Sequence, residues 1–291
     1  MIKITSKSKI KGKITKNKYT CNHTFVICAY QESPYLKECI ESLMAQTVSS
    51  KIMMITSTPN SYIEQIAEQY QIPYYINTEK KGIANDWNYA YRMADTTYVT
   101  LAHQDDIYVK DYLKEILLGI KQSQNPLIAF TDYYELRNGT LQRNNTMLNI
   151  KRFLLLPLTC TKLHSSIFIR RRILSFGCPI CCPSVTFHKS NLPEQIFIEG
   201  YRSDADWQAW EKLSRRKGDF IYIHKPLTYH RIHEESATTA IIGDRVRSKE
   251  DYEMFRCFWP PFIARLLVRM YSKSEQSNTL SKHKKEGNRV F

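Results

Sequence analysis

The 291-residue chain has no glycine-rich phosphate loop of either common kind: neither Gly-x-Gly-x-x-Gly nor Gly-x-x-x-x-Gly-Lys-Ser/Thr occurs. That moves dinucleotide oxidoreductases and P-loop NTPases well down the candidates. It also lacks any run of about 18 uncharged apolar residues, so no membrane-spanning helix is expected. The opening segment "MIKITSKSKIKGKITKNKYT" is basic but has neither an apolar stretch nor a small-residue cleavage site, and does not read as a secretory leader. Eight cysteines are present, yet Cys178-x-x-Cys181-Cys182 has no second pair of cysteines or histidines at finger spacing. Packed or site-lining thiols in a reducing, cytoplasmic setting fit better than a zinc centre or a disulfide framework. There is no internal repeat and no low-complexity core.

What is there suits a soluble globular domain, with 43% hydrophobic and 24% charged residues. The net charge of +14 sits at the ends. Residues 1–23 carry seven lysines and no acid, and residues 256–291 carry eight Lys or Arg against two Glu. Residues 24–255 are therefore close to neutral. Basic ends suit anionic lipid or nucleic acid, or remain as solvated arms. We divide the chain into a basic arm (1–23), two halves of one domain (24–132 and 133–240) and a basic amphipathic extension (241–291).

Apolar strands alternate with helical patterns through the first half. "TFVICAY" (24–30), "KIMMIT" (51–56), "PYYI" (73–76) and "TYVTLA" (97–102) read as strands of a mostly parallel, doubly wound α/β sheet. Helices are expected between them. Ser33 is placed as an N-cap, with Leu36, Ile40, Leu43 and Met44 on one buried face. The second half reads as mixed: a hairpin at Asn138-Gly139, strands at "SSIFI", "PSVTFH" and "FIYIHKPLTYHRIH", and a helix over 204–217 stopped by Gly218. Pro260-Pro261 divides the C-terminal stretch into two pieces.

Three clusters carry candidate chemistry. "LAHQDD" sets Asp105 and Asp106 just past a strand end, where open α/β sheets hold ligands. Adjacent carboxylates suit a hard divalent cation whose shell is completed by phosphate, or else cap a helix starting near Val109. Asp204 and Asp206 open a helix whose dipole favours carboxylates. His230 and His233 lie three apart on a strand and so on opposite faces, which lets at most one enter a given site.

In this order and spacing the motifs resemble the family 2 glycosyltransferases of GT-A fold, over Phe25 to about Thr239. "VICAYQESPYLKECIESLMAQT", "KKGIANDWNYAYRMADTTYVTLAHQDD" and "DADWQAWEKLSRRKGDFIYIHKPLTYHRIHEESATT" carry the likeness. The resemblance implies inverting sugar transfer from a nucleotide-diphosphate sugar, UDP-sugar favoured, with Mn²⁺ or Mg²⁺ as cofactor. It implies Asp206 as catalytic base, and Asp105, Asp106 and His233 around the metal. It sets Ala29, Tyr30, Glu32, Ser57, Lys81, Asn85, Asn88, His103 and Gln104 on the donor, and Cys181, Asp204 and Trp207 on the acceptor side. Two departures are specific to this chain. His103 stands where the family's first aspartate would be, and "TSTPN" after the second strand lacks the usual acid, leaving Ser57 or Thr58 to substitute by hydroxyl. By the same analogy the acceptor is a saccharide or lipid-linked saccharide of bacterial surface-polysaccharide assembly. Trp259, Phe262 and the C-terminal arginines would then touch the inner membrane face, the rival expectation being a helix packed on the domain. No nucleic acid is expected as partner. The alternatives are a nucleotidyltransferase on a related sheet, disfavoured by the acidic, glycine-free "AYQES" loop, and a nucleic-acid-binding module using the basic ends.

Overall fold

The computed structural model describes residues 22–233 and 245–276. The basic arm up to residue 21, the "EESATT" segment and the tail beyond 276 lie outside the described residues. The elements run β1 (His23–Ala29), α1 (Leu36–Met44), β2 (Lys51–Thr56), α2 (Ser61–Gln69), β3 (Tyr74–Ile76), α3 (Ile83–Met93) and β4 (Tyr98–His103). After these come β5 (Ile107–Tyr108), α4 (Tyr112–Lys121), β6 (Pro126–Arg137), β7 (Thr140–Gln142), α5 (Thr146–Leu155) and α6 (Ile167–Leu174). The chain continues with β8 (Val185–His188), α7 (Ala205–Ser214), β9 (Asp219–Ile232), α8 (Arg245–Arg256) and α9 (Pro261–Gln276).

Among the described residues, nine strands form one sheet of order β3-β2-β1-β4-β8-β6-β9-β5, with β7 paired to β6. The first four are mutually parallel; β8 enters antiparallel between β4 and β6. Their hydrophobic runs are continuous because the sheet is covered on both faces. One apolar layer gathers Leu36, Ile40, Ile63, Tyr112 and Ile116 from α1, α2 and α4. The opposite layer gathers Trp87, Tyr91, Trp207, Trp210 and Phe255 from α3, α7 and α8. Each large side chain fully buried this way contributes about 1.5–3 kcal/mol before entropy is counted.

Several expectations needed correction. The α1 face is Leu36, Cys39, Ile40 and Leu43, whereas Met44 is exposed. "SSIFI" is the start of helix α6, not a strand: Ser166 caps it by accepting the Ile169 amide at 3.3 Å. A short β-rich run bounded by serine is ambiguous in period, and the cap decided it. Helix α5 gave no strong signal and was not expected. The Asn138-Gly139 hairpin is present, both residues at positive φ, as a primed turn requires.

Helix α7 ends at Ser214 with Arg215 as its C-cap, short of the expected stop; Gly218, at φ +133°, lies in the bend that follows. A Cβ there would stand 2.7 Å from the Asn125 carbonyl oxygen and 2.7 Å from Leu127 Cγ. Backbone strain and overpacking add, each costing about 1–3 kcal/mol. Gly218→Ala is therefore expected to lower the free energy of unfolding by at least about 2 kcal/mol, read from the denaturant midpoint at unchanged slope.

Candidate active site

The carboxyl ends of β1, β2 and β4 come into line because the three strands are parallel and in register. Cys28 is paired with both Ile55 and His103, and Ala29 with Thr56. A crevice outside these ends, where the strand order reverses, is where such sheets bind ligands. At or just past these ends lie Tyr30, Ser57, His103 and the loop carrying Gln104, Asp105 and Asp106.

The two aspartates diverge. Asp105 accepts the Ser33 hydroxyl at 2.5 Å and lies 3.3 Å from His233 Nε2. Ser33 thus spends its side chain on the site; α1 begins only at Leu36, later than the expected cap. Asp106 is buried and turned inward, accepting the Arg231 amide at 2.8 Å and His230 Nδ1 at 3.1 Å. Burial works to raise the Asp106 pKa, but the His230 charge, that hydrogen bond and the Arg231 amide together hold it below its ordinary value. His230 is correspondingly raised, Asp106 outweighing the effect of burial. Asp106 is therefore a buttress of the loop, not a second ligand facing the cleft. Neither aspartate caps a helix from Val109, since β5 intervenes and α4 starts at Tyr112. The two histidines separate as their strand spacing demands, His233 to Asp105 and His230 to Asp106.

What brings them there is strand pairing. Ile107 pairs with Tyr229 and Tyr108 with Thr228, which lays the aspartate loop along the end of β9. Arg231 completes the join. Its Nε donates to the Asp105 carbonyl at 2.8 Å, its guanidinium pairs with Glu38, and its charge stacks 4.1 Å over the Tyr35 ring. Sequence reasoning passed over Arg231; its position beside the histidine pair was the available signal.

The donor-side expectations divide. Gln104 and Tyr30 exchange two hydrogen bonds of 2.9 Å, side-chain amide to backbone, fixing the β1 loop to the β4 loop. His103 stacks on Trp87 at 5.0 Å and 20°, with Nε2 buried and without a hydrogen-bond partner. Burial lowers its pKa, so the ring is neutral. Ser57 donates to Asp86 at 2.8 Å, and Asn77 donates to the other Asp86 oxygen at 2.7 Å. Asp86, not singled out in the sequence, thus sets an acid beside the β2 end where "TSTPN" has none. Glu32 and Lys81 are exposed at the rim, and Asn85 donates to the Lys81 carbonyl at 3.3 Å. Asn88 does not join them: it is buried and holds Ile196 and Phe197 through three backbone hydrogen bonds of 2.7–3.0 Å.

Asp206 is half-buried in the first turn of α7. Its Oδ1 accepts the Trp207 amide at 2.7 Å and its Oδ2 accepts the Cys178 thiol at 3.7 Å. Burial raises its pKa above the ordinary carboxylate value, opposed by the Trp207 amide and the Lys151 charge. Burial raises the Cys181 thiol pKa, and the Asp106 and Asp206 charges add to that while the Lys151 charge opposes it. Lys151, hydrogen-bonded to Tyr133 at 2.9 Å, was also missed. The acceptor-side expectations are corrected for Trp207, which is fully buried, donates to the Leu174 carbonyl at 3.0 Å and packs edge-on against Phe255. Asp204 is likewise buried and cannot meet a substrate in this arrangement, and Cys181 is 9% exposed.

No group of three or more His, Cys, Asp or Glu able to hold a metal ion occurs among the described residues. Asp105 with His233 nevertheless fits a shared ion: Mg²⁺ and its like take one or two protein groups and complete the shell from phosphate. A two-donor set matches that division and not a closed protein cage.

The comparisons with known proteins bear on the family and the fold. The chain is 24% identical over 257 residues to an uncharacterized glycosyltransferase of Rickettsia typhi, covering 86% of this chain and 74% of that one. It is 25% identical to a longer one of Rickettsia conorii, of which it spans 40%. In three dimensions it is similar to Staphylococcus aureus TarS solved with UDP-GlcNAc, at TM-score 0.60 and 16% identity, covering 88% of this chain and 72% of that. It is also similar to the mannosyltransferase PcManGT of Pyrobaculum calidifontis, solved with GDP-Man and Mn²⁺, at TM-score 0.56 and 12% identity, covering 91% and 77%. These shared folds are GT-A. The model of Glycosyl transferase family 2 matches residues 24–197, from β1 through β4 and β8 to the segment that Asn88 holds. With the parallel strand ends, the aspartate loop and the sheet order all lying in or around that span, the chain belongs to glycosyl transferase family 2.

Proposed function

We propose that the protein is an inverting, metal-assisted glycosyltransferase that moves a sugar from a nucleotide-diphosphate sugar to a hydroxyl of a saccharide or lipid-linked saccharide. The observations that carry this reading are a half-buried Asp206 in the first turn of α7, bonded to the Trp207 amide and the Cys178 thiol, and the pairing of Asp105 with His233 just past the end of β4. Asp206 takes the proton of the acceptor hydroxyl as its oxygen bonds to the anomeric carbon. The bond from that carbon to the diphosphate breaks on the opposite face, and the nucleoside diphosphate leaves with the electron pair. A general base of this kind supplies about 10²–10⁴ in rate. One displacement suffices, so no second carboxylate need act as nucleophile.

Asp105 and His233 are the residues that would hold Mn²⁺ or Mg²⁺; such an ion supplies Lewis-acid stabilisation of the leaving diphosphate. Ser33 fixes the Asp105 carboxylate and Arg231 the backbone behind it. Asp86, Ser57 and Tyr30 would face the nucleoside. A UDP-sugar is favoured, and TarS, solved with UDP-GlcNAc, supports a nucleotide-sugar donor. The test is release of nucleoside diphosphate from a panel of UDP-, GDP-, dTDP- and CMP-linked sugars with Mn²⁺. One nucleotide class should be turned over well above the rest. Equal inertness toward all of them with a hydroxyl acceptor present would remove the reading.

We further infer a cytoplasmic enzyme working at the inner membrane face in surface-polysaccharide assembly. No described helix is long and apolar enough to cross a membrane. Support comes from α9, where Phe262, Leu266 and Met270 are exposed at four-residue spacing beside exposed Arg265 and Arg269. An apolar stripe edged by cations suits an anionic bilayer surface. Trp259 is not part of that stripe: its indole donates to the Ser175 carbonyl at 2.7 Å and packs against Phe176.

A further inference from the structure

Helix α7 carries the base, yet its own N-cap residue does not cap it. Asp204 occupies that position and makes no side-chain capping hydrogen bond. The three amides leading into the helix are taken instead by a residue far along the chain. Glu250, on α8, accepts the Arg202 amide at 2.9 Å, the Ser203 amide at 2.8 Å and the Asp204 amide at 3.0 Å, and the Ser203 hydroxyl at 2.8 Å. Successive amides converging on one point form an anion site, here filled by a buried side chain of the same molecule. The neighbouring Asp251 is also buried, 1% exposed. The far end of α7 is gripped in the opposite sense. Arg170, also buried, donates to the Ser214 carbonyl at 2.8 Å and to the Gly218 carbonyl at 2.5 Å. A carboxylate therefore closes the positive end of the helix and a guanidinium the negative end, each matching the dipole.

We propose that Glu250 is a positioning residue for sugar transfer: by clamping residues 202–204 it sets the angle and burial of Asp206, which makes the C-terminal extension a working part of the active site. This rests on Asp206 being the base. It also goes beyond the family match, since α8 lies wholly outside residues 24–197. The reason for such a part is geometric. Asp206 is two residues from the last clamped amide, and a 1 Å misplacement of a reacting group costs about a hundredfold. Trp207 and Gln208 anchor the body of the first turn, to the Leu174 carbonyl and the Ile198 amide, while the chain entering it at 202–204 is held through its amides by Glu250. Glu250 is suited to the task because its carboxylate stays ionised, the three amides outweighing burial and lowering its pKa.

The test uses the full chain with Glu250→Ala and Glu250→Gln, the second keeping size and one acceptor oxygen. In Glu250→Ala, kcat for transfer should fall about ten- to a hundredfold, while donor Kd from calorimetry changes by less than twofold; Glu250→Gln should fall between. The acid limb of the kcat profile should move to lower pH as water reaches Asp206. The titratable and charged groups around it, Cys178, Cys181, Cys182, Lys151, Arg247 and Asp204, are unchanged in both variants. Hydrogen exchange at the amides of 202–204 should accelerate. Unchanged exchange there, or faster exchange with an unaltered kcat and pH profile, would overturn the proposal. Weakened donor binding in step with kcat would mark a general loss of structure and would overturn it equally. If Asp206→Asn proved fully active, the base reading alone would fall, and the exchange data would still report whether Glu250 holds the helix.

Discussion

Replacing Asp206 by Asn should leave donor titration unchanged and lower transfer by about 10²–10⁴. Asparagine matches the shape and can still accept the Trp207 amide, so α7 should keep its first turn. It cannot accept a proton, and the acceptor hydroxyl must then ionise unaided. The pH profile of the unaltered enzyme gives the matching check. Burial raises the Asp206 pKa, so the group is protonated over a wider acidic range than an exposed aspartate. Only the ionised form is a base; kcat should therefore fall as pH drops through a value above the ordinary one. Asp206→Asn should abolish that limb along with the rate. The sign for stability is the reverse. A pKa raised in the folded state means that folding favours the protonated form, so this group's contribution declines as pH rises from the unfolded to the folded value. Activity and stability therefore pull apart across that window, as groups placed for chemistry commonly require.

Replacing Asp105 by Ala should raise the donor Kd more than tenfold and remove any dependence of that Kd on Mn²⁺, read by calorimetry with and without chelator. The estimate is conservative, since even groups that only orient ligands change metal affinity by about 10–100-fold. Asp105→Asn would separate two roles. It keeps an acceptor for the Ser33 hydroxyl but not the charge, so the loop should hold while metal-dependent affinity is lost. A chelator-insensitive donor Kd in the unaltered protein would remove both Asp105 and His233 from the ligand set. Arg231 is no substitute there, since its guanidinium is already engaged with Glu38, Tyr35 and the Asp105 carbonyl.

The first half of the fold was open to reading because its strands are continuous apolar runs and its helices have regular faces. β2 matches its expected bounds residue for residue, and the ends of β1, β3 and β4 lie within about one residue of theirs. The strand-end location of Asp105 followed from the same periodicity. Where local pattern was weak, reading failed: α6 looked like a strand because Ile167, Phe168 and Ile169 suit either state, and α5 had no marked boundary. Among site residues, the ones carried by motif order could be named, but not which way each side chain points. Asp105 and Asp106 are neighbours in the chain and diverge in space. Trp207 and Asp204 lie within two residues of Asp206 and are buried.

By itself, then, the order of residues determined the parallel strands, the crevice at their ends and the carboxylates near it, because these depend on period and spacing along a few tens of residues. Only the tertiary structure decided how the neighbouring Asp105 and Asp106 diverge, that Arg231 and His230 of β9 brace the aspartate loop, that Asp86 stands beside the acid-free end of β2, and that Glu250 grips the helix that carries Asp206. Those relations join residues from about 30 to more than 190 positions apart. Side-chain direction at such contacts is set by strand pairing and helix docking, which close only when the whole sheet is assembled.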